Sequence, residues 1–141
     1  MLFTYTKFPH KHPLSNEDKA IHRPFVIIDM AFSNTWLSEI TRAYQHALID
    51  SGSDYNIAPI DLGKQLLVPL DRIKPRLTKG IEGEGIETYF AEVSVNLGGS
   101  IFKCPMGFAK QVPHILLGGD GFFSKFKVKF NYPKSFEINK K

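Results

Sequence analysis

Two stretches of the chain alternate apolar and polar residues with a period of two. Val26, Ile28, Met30 and Phe32 share one face of the first, while Tyr89, Ala91, Val93, Val95 and Leu97 alternate with Phe90, Glu92, Ser94 and Asn96 in the second. Successive side chains of a strand point to opposite faces, so both stretches are predicted to be strands. Near the C-terminus, Lys127 and Lys129 alternate with Phe126, Val128 and Phe130, the pattern of a strand with a solvated outer face. Helical spacing is weak and confined to Ile60 to Leu67, after Pro59, and to the short Gly121 to Lys125 turn. No clear linker divides the chain. The pattern predicts an all-β fold, a closed or strongly curved β barrel with one or two short helices.

Composition adds bounds. At 141 residues and 43% hydrophobic, the chain fits one domain around one core. No stretch approaches the roughly 18 consecutive apolar residues of a membrane span, so no membrane partner is expected. The net charge of +4 comes from scattered lysines with a mild cluster from Lys125 to Lys141. So modest a charge predicts a solvated surface and no nucleic-acid partner. Met1 to Arg23 is rich in His, Lys and Pro and lacks an unbroken apolar run of signal-peptide length. It is expected to be an arm without strands, partly mobile. The single Cys104 cannot form an internal disulfide, which favours a reducing compartment and a cytoplasmic location.

The candidate chemistry lies in Ala47-Leu48-Ile49-Asp50-Ser51-Gly52-Ser53, where an apolar strand delivers an aspartate into a Ser-Gly turn. A carboxylate at the floor of a cleft can act as general acid or base, and Gly52 lets backbone pass close to a substrate. A second segment, His114-Ile115-Leu116-Leu117-Gly118-Gly119-Asp120-Gly121, aligns without a gap on His46 to Ser53. Gly118 falls where Asp50 falls, and Asp120 lies two positions further on. One chain therefore supplies one carboxylate to the site, and a site of two carboxylates needs two chains.

With these motifs in this order, the chain resembles the retropepsin-like aspartic proteases, a single-domain family that works as a homodimer. The resemblance runs from about Pro24 to Phe136. It covers the active-site loop at Ala47 to Ser53, a glycine-punctuated Lys79 to Ile86 in the place of the flap, and a second loop at His114 to Gly118. It implies a retropepsin-like closed barrel with a flap hairpin, with residues 1–23 as an N-terminal extension and 24–141 as the protease domain. The function implied is endopeptidase action on a peptide or protein substrate, by water activated between the two Asp50 carboxylates of a homodimer. Asp50, Ser51 and Gly52 would form the catalytic loop. Ser51 would bond to the partner's loop, and Ser53 would support the outer carboxylate oxygen. Gly80, Ile81, Glu82, Gly83, Glu84, Gly85 and Ile86 would close over the substrate. No metal or organic cofactor is implied. Family members commonly place Arg directly after the glycine that aligns with Gly118, bracing the acidic residue past the active-site loop; here Gly119 stands there and Asp54 has no assigned partner. Two rival readings are a catalytically inactive module of the same fold that dimerises or binds peptides, and an unrelated small barrel.

Other residues read more plainly. His10 and His12 sit in a Pro-containing arm without a neighbouring Cys or carboxylate at ligand spacing, and are expected to be solvent-exposed. His46 and His114 precede apolar strand residues at matching positions, which predicts paired structural roles. Gly80, Gly83 and Gly85 lack the Lys-Ser/Thr ending of a phosphate loop and precede a strand, which favours a hairpin. Ser51 lacks the Gly-x-Ser-x-Gly elbow of a serine nucleophile.

Overall fold

The computed structural model describes residues 1–79 and 85–141. In chain order the elements are β1 (Leu2–Thr4), β2 (Thr6–Lys11), β3 (Asp18–Arg23), β4 (Phe25–Phe32), β5 (Thr35–Trp36), α1 (Leu37–Thr41), β6 (Gln45–Ile49), β7 (Asn56–Pro59) and α2 (Ile60–Gln65). A 3₁₀ turn at Leu70–Arg72 leads to β8 (Arg76–Lys79), β9 (Gly85–Leu97), β10 (Ser100–Ala109), β11 (Ile115–Leu117), β12 (Phe126–Asn131) and β13 (Ser135–Lys140). The largest sheet runs β5-β4-β6-β11-β7-β10-β9-β8, and a further pairing of β4 with β9 closes its six inner strands into a barrel. Closure removes the free edges of those strands. Among the described residues no helix is long and apolar enough to cross a membrane.

The predicted period-two strands are the walls of this barrel. Val26, Ile28 and Met30 of β4 and Val93, Val95 and Leu97 of β9 are buried and share one core, while Ile27, between them in sequence, is exposed. Phe32, Tyr89 and Ala91 pack at the margin of that core. β9 and β10 pair from Thr88↔Ala109 to Leu97↔Ser100, and the turn between them is Gly98-Gly99 with φ of +58° and +87°. Two successive positive φ values give a turn whose twist matches that of the strands it joins, and glycine adopts them without a side-chain clash.

Residues 1–23 differ from the arm expected of them, because they form strands. β1 pairs antiparallel with β13, Phe3 stacks on Phe136 with ring centroids 5.4 Å apart, and Met1 exchanges backbone hydrogen bonds with Ile138. β12, β13 and β1 make a second sheet, under which Phe122, Phe126, Phe136 and Ile138 are buried. β2 and β3 pair only with each other. The sequence pattern hides these strands because β2 is exposed along its whole length, leaving no apolar face to alternate.

α2 begins after Pro59 as predicted and packs closely on the barrel, where a Cβ on Gly63 would lie 2.9 Å from the Phe108 ring. The helix α1 was not expected from the pattern; it has a single turn and is fastened by Asp29 of β4. Asp29 is buried, and its carboxylate accepts from the backbone N–H groups of Met30 and Ser38 at 2.9 and 3.0 Å and from the Ser38 hydroxyl. Residues Gly121 to Lys125 form a run of turns in place of the expected helix. The N–H groups of Phe123 and Ser124 reach back five residues to the carbonyls of Gly118 and Gly119, at 3.0 Å each. Gly121, at φ +99°, sets the direction of that run against the Asn56 side chain.

Candidate active site

Asp50 stands where β6 leaves the barrel, and the position is held from both sides. Ile49 N–H donates to Pro24 O at 3.0 Å, and Asp50 N–H donates to Leu117 O at 2.9 Å. The second bond continues the parallel pairing of β6 with β11, whose register Ala47↔Ile115, Leu48↔Leu116 and Ile49↔Leu117 is the alignment of the two sequence segments. β11 thus lies between β6 and β7, filling the gap that the Asp50 loop spans.

The loop itself is short and bonded to itself. Ser53 N–H closes it on Asp50 O at 3.1 Å, and Gly52 N–H donates to Asp50 Oδ1 at 3.0 Å. That second bond orients the carboxylate. Asp50 is half-buried, while Ser51 and Gly52 are exposed. The bond expected from the Ser53 hydroxyl to the Asp50 carboxylate is not the one made here, since that hydroxyl donates to Tyr55 O at 2.7 Å.

The second loop braces the first through the backbone. Gly119 N–H donates to Ser53 O at 2.8 Å, and Asp120 N–H donates to Asp54 O at 2.7 Å. A Cβ on Gly118 would lie 2.4 Å from both Ser53 O and Tyr55 O, so only glycine lets the loops approach this closely. With Gly119 in place of an arginine, main-chain hydrogen bonds make the contact, and the Asp54 side chain is exposed with no ion pair among the described residues.

Asn56, absent from the sequence reading, joins the two loops. It is fully buried, and its Oδ1 accepts from Gly118 N–H at 2.8 Å. Its Nδ2 is buried without a hydrogen-bond partner among the described residues, and burial pushes the Cys104 thiol up to about 11, an effect that Asn56 opposes. The available signal was an amide at the inward parity of β7, two residues before the buried Ala58. The two histidines also part company. His114 sets its ring edge against Phe25 with centroids 5.0 Å apart, whereas His46 is exposed. Burial holds His114 below the ordinary imidazole value, helped by Arg23 and opposed by Asp50.

A groove of about 760 Å³ opens on Gly52 and Ser53. Asp54 and Tyr55 continue that wall, and Lys74, Arg76 and Leu77 make the opposite one. Ile57 and Phe90 lie between, so the groove is apolar in its depth and charged at its rim. The upper wall belongs to the hairpin of β8 and β9, paired Arg76↔Thr88, Thr78↔Ile86 and Lys79↔Gly85. Of the predicted flap, Gly85 and Ile86 belong to β9, while Gly80, Ile81, Glu82, Gly83 and Glu84 lie outside the described residues. Among the described residues no three His, Cys, Asp or Glu side chains gather as a metal site.

No protein-family model and no curated protein matches the chain. Among solved structures, the retropepsin-like aspartic protease from Rickettsia conorii aligns over 96% of this chain and 96% of its own, with a TM-score of 0.59 and 11% identity. EIAV protease complexed with an inhibitor aligns over 77% of this chain and 88% of its own, with a TM-score of 0.46 and 21% identity. The likeness to the Rickettsia protein, over nearly the whole of both chains, establishes the fold. This chain has the retropepsin-like all-β fold.

Proposed function

We propose that this chain is an aspartic endopeptidase active as a homodimer. The observation that carries the reading is Asp50 itself, at the end of β6 in a retropepsin-like barrel, oriented by Gly52 N–H in the loop that lines a groove apolar in its depth and charged at its rim. One such carboxylate per chain suits a dyad shared between two chains. Like charges a few ångströms apart cannot both ionise cheaply, so the pair holds one proton between them. The ionised member takes a proton from the attacking water, while the protonated member donates to the scissile carbonyl oxygen. The pair titrates as a unit. A substrate strand laid in the groove would bond to backbone of the loop and of the β8–β9 hairpin, with apolar side chains over Ile57 and Phe90.

The test is cleavage of a peptide library by wild type, Asp50→Asn and Asp120→Asn, on matched folded protein across acidic to neutral pH. Asparagine keeps the size of the side chain but removes the base and the shared proton. Asp50→Asn is expected to lower cleavage by roughly a thousandfold or more, and Asp120→Asn to matter far less. Retained cleavage in Asp50→Asn with loss in Asp120→Asn would overturn the site, and no cleavage by any of the three would overturn the activity.

A further inference from the structure

The groove beside the Asp50 loop carries opposite charge on its two walls. Asp54 and Asp120 line the loop side, joined through the bond from Asp120 N–H to Asp54 O, and Lys74 and Arg76 line the hairpin side. All four residues are exposed, and none has an ion-pair partner among the described residues. The walls therefore do not neutralise each other, and a field is left across the space where a ligand would lie.

Between the walls the floor is apolar and is built across three strands. Gly107 of β10 pairs with Ile57 of β7 on one side and with Phe90 of β9 on the other. A Cβ on Gly107 would lie 2.9 Å from Ile57 Cδ1 and 3.0 Å from the Phe90 ring, so these two side chains close over the glycine. The Tyr55 ring lies edge-on to Phe90 with centroids 5.2 Å apart. The strand register sets the cations against this floor. Arg76 pairs with Thr88, two residues before Phe90 and on the same face of β9. The hydroxyls of Thr78 and Thr88, 2.8 Å apart, join β8 to β9 on that face. Lys74, two residues before Arg76, lines the groove with it. Residues two apart in a strand are separated by about 7 Å, and an extended ligand has the same spacing. A ligand whose apolar side chain rests on Ile57 and Phe90 therefore brings the side chain two positions along to the level of the two cations.

We propose that Lys74 and Arg76 determine specificity in this groove, which takes an extended peptide bearing a large apolar side chain and, two residues from it, a glutamate or aspartate that meets the two cations. A lysine or arginine at that position is repelled, and Asp54 and Asp120 keep the acidic residue off the other wall. The inference rests on the endopeptidase reading above and names its substrate class. The apolar floor beneath the charges strengthens the preference, and added salt weakens it.

The experiment presents short peptides with a central Phe, and Glu, Gln or Lys two residues to either side of it, to wild type and to the full chain with Lys74→Glu and Arg76→Glu. The readout is the ratio of kcat/KM for the Glu peptide to that for the Lys peptide, at low and high salt. Wild type is expected to favour Glu about tenfold at low salt and less at high salt, and the variant to favour Lys. A purely structural role for the two cations would lower all rates together and leave the ratio unmoved. If the reversal does not fold, Lys74→Gln with Arg76→Gln takes its place, with a ratio near one expected. Binding of the same peptides, labelled with fluorescein, to Asp50→Asn is followed by anisotropy and separates the two claims. The same ratio in wild type and variant, in cleavage or in binding, would overturn the inference alone. A Glu preference in binding with no cleavage by wild type would uphold the inference and overturn the endopeptidase reading, and neither binding nor cleavage of any peptide would overturn both.

Discussion

The chemistry of the candidate site is concentrated in a few residues whose roles differ in how far they reach. Asp50 is recognisable from its neighbours, because an apolar strand, a carboxylate and a Ser-Gly turn are local features. Asn56 is not, because its partner Gly118 is brought to it at the end of β11. His114 carries a testable consequence. Its folded value is held below the ordinary 6.5, mainly by burial. The unfolded chain then binds more protons than the folded one just below that value, so the stability His114 contributes is present above it and lost as pH falls through it. Thermal unfolding at about pH 7.5 and about pH 5.5 should show a smaller acid-induced fall in Tm for His114→Gln than for wild type. Equal slopes in the two proteins would count against a lowered His114 value.

At the scale of elements, pattern served where one face of a strand is buried and failed where neither or both are. β9 alternates because it has a core side and a more exposed side, and β4 does so only through Ile28, since Asp29 and Ala31 on its other face are buried too. β1 has three residues, too few for a period, and its place is set by pairing with β13 and by Phe3 on Phe136. Removing residues 1–5 deletes that strand and the aromatic contact together. Partial burial of Phe3 and an aromatic pair are worth about 2–3 kcal/mol, which corresponds to a Tm lower by about 5–10 °C in a domain of this size. Differential scanning calorimetry of the truncated chain and of Phe3→Ala checks this. An unchanged Tm in both would show that β1 merely rests on the second sheet. The single turn of α1 was hidden for a related reason: its anchor, Asp29, sits on another element and faces the helix only after β4 joins the barrel.

At the scale of the molecule, the barrel presents one Asp50, in the loop whose Gly52 and Ser53 line the groove. The proposed mechanism requires two Asp50 carboxylates from two chains, so specific activity should depend on protein concentration. Cleavage measured over a dilution series is expected to fall as the chain is diluted through its dimer dissociation constant, in step with the mass seen by light scattering. A species shown to be monomeric that keeps full specific activity would rule out a shared dyad.

By itself, the sequence determined the class of fold, the loop that carries Asp50 and the alignment of two related segments. Each is written in short-range order: a two-residue period, a turn of Asp, Ser and Gly, and a gapless self-alignment that becomes the register of β6 with β11. The arm as strands, the turns at Gly121 to Lys125 and the brace across Gly118 were decided only by tertiary structure. Their cause lies in partners distant along the chain, since β1 finds β13, Gly121 meets the Asn56 side chain and Gly119 N–H reaches Ser53 O. Such contacts leave no periodic trace, because the groups they satisfy are backbone amides and carbonyls that every residue carries.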